Sequence, residues 1–257
     1  MQVVIPIAGQ GKRMAQYAPG PKQLLPVAGK PVVEHTLARL PASVDELVFV
    51  VGGPHEARIR SYFGSAHGGR RVTYVQQQEA LGLGHAVQQA QSAVDGRFLM
   101  ILPDDIYAAS DLEAIIREPD LVALAKRVER PENFGVLVCD ETGCLERAVE
   151  KPKTFVSNLV SVGAYVLDPD IFRVVVPPSA RGEIEIVDLV VSLVRDHGRR
   201  VRVREASFWL PVNDQEQLTE AERALLQGER ASSPRTTPRS TAAPSLVPVS
   251  SDAGTAR

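Results

Sequence analysis

The residues Pro6-Ile7-Ala8-Gly9-Gln10-Gly11-Lys12-Arg13-Met14 follow an apolar run, Val3-Val4-Ile5, and continue past Pro19-Gly20-Pro21 to Lys22. Glycines just after a buried strand let backbone N–H groups turn toward an anion, and Gly9 and Gly11 suit that use. Lys12, Arg13 and Lys22 add cationic charge, so the loop suits phosphate; a solvated basic loop is the alternative reading. It is not a dinucleotide fingerprint, because Met14 stands where the third glycine belongs and the second apolar run ends on Val50-Val51-Gly52-Gly53 rather than on an acid. Nor is it a P-loop, because Gly11-Lys12 is followed by Arg13 in place of Ser or Thr. A second chemical residue is Asp104, which follows the apolar run Phe98 to Leu102. A carboxylate there emerges at the carboxyl edge of a parallel sheet, beside the loop, where a magnesium ligand belongs. A turn or helix cap is the other common use of Asp at such a position. Asp105 next to it points elsewhere.

The elements that must position these residues alternate. Apolar runs at Val3 to Ile5, Leu47 to Val51, Val72 to Val75, Phe98 to Leu102 and Leu121 to Ala125 read as strands. Helical patterns at Val32 to Leu40, Glu56 to Phe63, His85 to Val94 and Asp111 to Arg117 separate them. That rhythm predicts an α/β fold, Rossmann-like, with a mostly parallel sheet flanked by helices. Beyond Arg130 the rhythm changes: a hairpin at Gly135 to Cys139 and Leu145 to Glu150, a strand at Val160 to Leu167 and an amphipathic helix at Ile184 to His197 predict an inserted smaller antiparallel sheet. A last helix covers Gln215 to Gln227. From residue 228 to 257 Ser, Thr, Pro, Ala and Arg dominate with few large apolar residues, which predicts a disordered tail after a folded unit at 1–227.

Composition narrows the function classes. The chain has 257 residues, 44% of them hydrophobic and 23% charged, enough to bury a large core. Its net charge of −2 combines four arginines and one aspartate from residue 230 onward with a body, residues 1–229, at −5. An acidic body argues against nonspecific nucleic-acid binding, and the lack of a long apolar run or a basic-then-apolar leader argues against a membrane partner and for a cytoplasmic location. Cys139 and Cys144 flank an expected turn at Asp140 to Gly143 and read as packing residues, since a metal site would need more ligands nearby.

The loop motif, with Pro21-Lys22-Gln23-Leu24-Leu25-Pro26-Val27 and Gly29-Lys30-Pro31 after it, resembles the signature of the sugar-1-phosphate nucleotidylyltransferases. Leu81-Gly82-Leu83-Gly84-His85-Ala86-Val87, Leu102-Pro103-Asp104-Asp105, Asn133-Phe134-Gly135-Val136, Val149-Glu150-Lys151-Pro152, Ser157-Asn158-Leu159, Val162 to Leu167 and Gly182-Glu183-Ile184-Glu185 follow in the order of the UTP:glucose-1-phosphate uridylyltransferase branch. The resemblance covers about residues 1 to 227. Lys12 stands where the family usually has Thr or Ser.

The resemblance implies an enzyme in which a phosphate oxygen of a sugar 1-phosphate attacks the α-phosphorus of a nucleoside triphosphate and releases pyrophosphate. UTP with glucose 1-phosphate is the pair it points to. The nucleophile is already anionic, so no general base is needed; charge neutralisation, in-line positioning and Mg2+ are. By the same resemblance Arg13 holds the leaving phosphates, Lys22 sits near the α-phosphate and Asp104 holds the metal. Ala8, Gly9, Gly11, Gln77 and Gly82 bind the nucleotide, with the Gln77 amide reading the base edge and Gln76 or Gln78 the alternatives. Gly135, Glu150, Lys151 and Gly163 bind the sugar phosphate. His85 reads as structural, since the reaction has no proton for it to move.

A second metal ligand is open. Where many relatives have Asp-x-Gly, this chain has Pro211-Val212-Asn213-Asp214-Gln215, and proline cannot bind magnesium. Val212-Asn213-Asp214 resembles the Val-Asn-Asn stretch of the N-acetylglucosamine-1-phosphate uridylyltransferases, which implies that Asn213 supplies an amide oxygen to the metal. The alternative is that Asn213 caps the last helix, with Asp214 the remaining ligand candidate. A dTTP-dependent thymidylyltransferase and a non-catalytic nucleotide-sugar binding protein are the other functional readings. The oligomeric state, a homo-oligomer included, is open.

Overall fold

The computed structural model describes residues 1–9 and 20–232. Gly11, Lys12 and Arg13, and the expected tail beyond Ser232, lie outside the described residues. In chain order the strands are β1 (Gln2–Pro6), β2 (Pro26–Val27), β3 (Lys30–Pro31), β4 (Glu46–Val51), β5 (Ala66–His67), β6 (Arg70–Gln76), β7 (Phe98–Met100), β8 (Asp105–Tyr107), β9 (Leu121–Arg127), β10 (Gly135–Cys139), β11 (Leu145–Glu150), β12 (Leu159–Leu167), β13 (Val201–Glu205) and β14 (Trp209–Pro211). The α-helices are α1 (Val32–Leu37), α2 (Glu56–Phe63), α3 (Leu83–Gln89), α4 (Ala109–Arg117), α5 (Ile186–Arg195) and α6 (Gln215–Ser232).

The main sheet runs β11-β10-β12-β7-β1-β4-β6-β5, with β9 paired to β12 and β13 to β9. The pairs β1/β4, β4/β6 and β1/β7 are parallel, as the alternating pattern predicts. Every residue of β4 is buried, which is why it reads as an unbroken apolar run: helices cover both faces of a parallel sheet. Alternate residues feed two cores. Val4, Val48, Val50 and Met100 pack toward α3 and α5, whereas Val3, Ile5, Phe49 and Leu99 pack toward α1, α2 and α4.

The expected hairpin β10/β11 forms, and it is hydrogen-bonded into the main sheet through β12. That strand is nine residues long and has room for β10 and then β7 along one side and β9 along the other. Two small antiparallel sheets, β2/β3 and β8/β14, stand apart. The last helix runs to Ser232, past the boundary expected at residue 227. At the hairpin tip, Asp140 Oδ1 accepts from the N–H groups of Thr142 and Cys144 at 2.8 and 3.0 Å, closing the expected turn. Among the described residues no helix is long and apolar enough to cross a membrane.

Two features place a site. The order β7-β1-β4 puts β1 between a strand that follows it directly in the parallel series and one that comes later, so the strand order switches at β1. Ligands of open α/β sheets bind outside the carboxyl ends of the strands at such a switch. In addition, β8 leaves Asp104 and β14 leaves Asn213 at the same end of their two-stranded ladder, tied by Val212 N–H donating to Asp104 O at 3.0 Å.

Candidate active site

Three residues far apart in sequence meet just beyond the carboxyl end of β7. Lys22 heads a single 3-10 turn, Lys22–Leu24, closed by Leu24 and Leu25 N–H groups donating back to Pro21 O and Lys22 O. Its ammonium forms an ion pair with the Asp104 carboxylate and donates to Asn213 Oδ1 at 3.3 Å. Asp104 is only 8% exposed. One carboxylate oxygen and one amide oxygen thus converge on a point that already accepts a positive charge.

Asp105 is withdrawn from this point, as the sequence suggested. It is buried in β8, accepts a hydrogen bond from Trp209 Nε1 at 2.9 Å, and its backbone carbonyl accepts from Thr36 Oγ at 2.7 Å. Burial, with Asp104 beside it, pushes its carboxyl well above the usual range despite the Trp209 hydrogen bond.

The cap of α6 belongs to Asp214. Its Oδ1 accepts from Gln217 N–H at 2.9 Å, while Gln217 Oε1 accepts from Asn213 N–H at 2.8 Å. The side chain of Asn213 therefore faces Lys22 and Asp104, and the helix is capped without it. The cap alternative for Asn213 is replaced by this division of labour: the neighbour takes the helix, because its side chain lies one residue closer to the first turn.

At the carboxyl edge of the parallel strands, Ala8 lies just beyond β1, Gly52 and Gly53 follow β4, and Gln77 follows β6. A side chain at Gly52 would meet Gln77 O at 2.5 Å and Ala8 Cβ at 3.4 Å, so these three segments are in contact. No atom of the described residues lies within 4 Å of a Cβ placed on Gly9. Gln77 is buried, and its Nε2 donates to Gly82 O at 3.2 Å and to His85 Nδ1 at 3.0 Å.

Gly82 has φ +103, a conformation that favours glycine. Any Cβ there would sit 2.7 Å from Ile184 O. Its small size serves the crossing of two chain segments, sealed by Ile184 N–H donating to Leu81 O at 2.7 Å and Gly84 N–H to Ile184 O at 2.8 Å.

That crossing connects the surroundings of Gln77 and Gly82 to those of Glu150. Glu185, buried at the start of α5, accepts from Ser179 Oγ and from Arg181 Nη2, each at 2.8 Å. Arg181 also reaches Glu150 Oε1 at 3.3 Å and Glu183 at 3.2 Å. Lys151 Nζ lies 3.5 Å from Glu150 Oε1, and its backbone, at φ +43, is held by Lys151 N–H donating to Phe134 O at 3.0 Å. Burial pushes the Glu150 carboxyl up; Lys151 and Arg181 pull it back, and Glu185 adds to the rise. A Cβ on Gly135 would lie 3.0 Å from Glu150 Oε2 and 2.6 Å from Val187 Cγ1. Gly163 kinks β12 at φ +71 and lies against Leu102, two residues before Asp104. The ring of contacts closes through Phe134, whose ring meets Trp209 edge-on at 5.4 Å, and Trp209 holds Asp105.

Among the described residues the structure thus assembles Lys22, Asp104 and Asn213 at one point, Ala8, Gln77 and Gly82 on one flank, and Gly135, Glu150, Lys151 and Gly163 on the other. Sequence reasoning assigned no role to Arg181 or Glu185. The signal was present in Gly182-Glu183-Ile184-Glu185, but the quoted motif begins one residue after the arginine.

The sequence matches the family model described as "Nucleotidyl transferase" over residues 3–228. The chain belongs to the nucleotidyl transferase family. Within that family it is 33% identical over 236 residues to the UTP--glucose-1-phosphate uridylyltransferase AglF of Haloferax volcanii, covering 88% of this chain and 96% of that one. It is 34% identical over 203 residues to the bifunctional protein GlmU of Methanococcus vannielii, covering 76% of this chain and 48% of that one. The chain spans about half the length of the GlmU relatives it matches. A solved structure from Bacillus anthracis, of a candidate glucose-1-phosphate thymidylyltransferase with a sucrose bound, superposes with a TM-score of 0.76 at 27% identity, covering 87% of this chain and 94% of that one. A nucleotidyl transferase with a Rossmann-like sheet accounts for the basic and acidic groups that meet beyond the carboxyl end of β7.

Proposed function

We propose that the chain is a magnesium-dependent sugar-1-phosphate nucleotidylyltransferase that makes UDP-glucose and pyrophosphate from UTP and glucose 1-phosphate. The observation that carries this reading is the meeting of Lys22, Asp104 and Asn213. A phosphate oxygen of the sugar 1-phosphate attacks the α-phosphorus of UTP in line, the bond from that phosphorus to the bridging oxygen breaks, and pyrophosphate leaves with its electron pair. No proton need move, because the attacking oxygen is already charged. The surrounding residues therefore have one task, which is to neutralise charge and hold two anions at the approach distance.

Lys22 would meet the α-phosphate and the incoming sugar phosphate, and Arg13 the β- and γ-phosphates. Asp104 and Asn213 fit a Mg2+ ion: both offer hard oxygen donors, they converge on one cationic position, and a site with few protein ligands leaves room for phosphate oxygens and water. Magnesium, when bound, would neutralise phosphate charge in the transition state. Gln77 would read the base, while Glu150 and Lys151 would take the sugar hydroxyls and sugar phosphate, with Gly135 and Gly163 letting the ring lie close.

The full-length match to AglF supports UTP with glucose 1-phosphate. The likeness to the Bacillus anthracis structure favours dTTP as the second reading, since thymine presents the same N3–H as uracil. Pyrophosphate release, measured for four triphosphates against glucose 1-phosphate and N-acetylglucosamine 1-phosphate, tests the proposal. UTP with glucose 1-phosphate is expected to give the highest kcat/KM, and Asp104→Asn to lower it by ~100-fold or more without changing the melting temperature. Absence of pyrophosphate release with every pair would establish a binding protein instead, and near-normal turnover in Asp104→Asn at ordinary magnesium would remove that residue from the chemistry.

A further inference from the structure

His85 is the polar group around Gln77 that the proposed reaction leaves unused. It stands in the first turn of α3, half-buried, with both ring nitrogens facing glutamine amides: Nδ1 lies 3.0 Å from Gln77 Nε2 and Nε2 lies 3.1 Å from Gln89 Nε2. A neutral imidazole has one N–H donor and one acceptor nitrogen, so the two amides cannot both donate to it. One of them must present its oxygen.

The surroundings decide which. The Gln77 amide nitrogen also donates to the backbone oxygen of Gly82 at 3.2 Å, and turning that amide over would set oxygen against oxygen. Gln89 has no second side-chain partner among the described residues, so it is the amide that turns. The chain of hydrogen bonds then has one direction: His85 Nε2–H donates to Gln89 Oε1, and Gln77 donates to both His85 Nδ1 and Gly82 O. Both donors of Gln77 are occupied, and its Oε1, which has no partner among the described residues, is left for the ligand.

We propose that His85 is a positioning residue for base selection: by accepting from Gln77 Nε2 it joins Gly82 O in holding that amide with its oxygen outward, so that the pocket takes a pyrimidine bearing N3–H, uracil or thymine, and disfavours cytosine. Cytosine carries a lone pair at N3, and two acceptors would face each other. The inference rests on the uridylyl-transfer reading and adds to it the physical origin of base choice. An amide left free to rotate would read either base; two acceptors on the amide nitrogen, Gly82 O at 3.2 Å and the closer His85 Nδ1 at 3.0 Å, restrict that freedom, and the imidazole is the one a side-chain substitution removes.

The test compares kcat/KM for UTP and CTP, with glucose 1-phosphate saturating, in the wild type, His85→Leu, His85→Asn, Gln89→Leu and Gln77→Ala/His85→Leu. Leucine has no acceptor, so His85→Leu should lower the UTP-over-CTP ratio by roughly tenfold, mostly through the KM for UTP. Asparagine returns an oxygen acceptor near the Nδ1 position, so His85→Asn should recover most of the ratio, which a purely structural role would not predict. Gln89→Leu should give a smaller loss in the same direction, and it carries the test if His85→Leu fails to fold, as judged by circular dichroism. In the double variant, His85→Leu should add nothing to the loss from Gln77→Ala. A selective, active wild type whose ratio is unchanged in both His85→Leu and Gln89→Leu overturns the positioning role alone. A wild type that releases pyrophosphate with neither UTP nor dTTP overturns the underlying reading, and this one with it.

Discussion

Replacing Gly163 by alanine separates two effects of one glycine. The residue sits at the irregularity in β12 with φ +71, where an L-residue costs ~1–2 kcal/mol. Its ideal Cβ would stand 2.3 Å from Leu102 Cδ1 and 2.6 Å from Leu102 Cγ, well inside the 3.4 Å at which ordinary contact begins. Relieving such an overlap in a packed interior costs ~1–3 kcal/mol. Together the effects predict ~2–5 kcal/mol of destabilisation, which for a domain of this size lowers Tm by roughly 4–20 °C at about 2–4 °C per kcal/mol. Leu102 is joined through Pro103 to Asp104, so a displaced Leu102 should also depress turnover in the folded variant. The assay is a thermal melt of Gly163→Ala, Leu102→Ala and the double variant, with pyrophosphate release measured well below each Tm. The overlap part should vanish in the double variant, leaving it ~1–3 kcal/mol more stable than the sum of the single changes. Additivity within ~0.5 kcal/mol would refute the contact argument and leave only backbone strain.

The division between Asn213 and Asp214 predicts that Asp214→Ala lowers stability by ~1 kcal/mol through the lost cap while leaving the magnesium requirement unchanged. Asn213→Ala should do the reverse, raising the magnesium concentration for half-maximal activity with little change in Tm; exchanged outcomes would reverse the assignment. Glu46, buried at the amino end of β4, accepts from Thr73 Oγ at 2.6 Å, Arg71 Nη2 at 2.8 Å and Gln2 Nε2 at 2.9 Å. Burial alone would raise its carboxyl, but these hydrogen bonds outweigh it and hold the group below its ordinary value. Its stabilising contribution is therefore full above the unfolded glutamate range, about 4.3, and is lost as pH falls through the lowered value. Glu46→Gln should cost ~1–3 kcal/mol at pH 7, and the difference from wild type should shrink toward pH 3 in denaturant titrations; a difference independent of pH would show that the ionised form is not the stabilising one.

Local pattern carried a large part of the fold. Unbroken apolar runs at Val3 to Ile5, Leu47 to Val51 and Phe98 to Met100 mark β1, β4 and β7 because a strand covered on both faces has no solvent side to record, and the hairpin β10/β11 is legible from two strand-like runs around a four-residue turn. The identity of Lys22 and Asp104 as site candidates was also local information, since glycine-rich loops and carboxylates at strand ends announce themselves in sequence; Gln77 was a candidate only through the family resemblance. Which of them meet was not. Lys22 and Asn213 are 191 positions apart, and only the β8/β14 ladder brings Asn213 beside Asp104. The choice between Asn213 and Asp214 as the cap depended on where α6 begins relative to that ladder, a matter of a single residue that propensity does not resolve. Gly82 reads in sequence as room for a ligand, yet in the structure its missing Cβ first makes room for Ile184 O. The joining of the hairpin to the main sheet, the reach of Arg181 across three carboxylates and the direction of the Gln77 amide were likewise decided by tertiary contacts. Composition and periodicity report what each segment buries; a hydrogen-bonded site is set by which segments cross, and that follows only when the whole chain has packed.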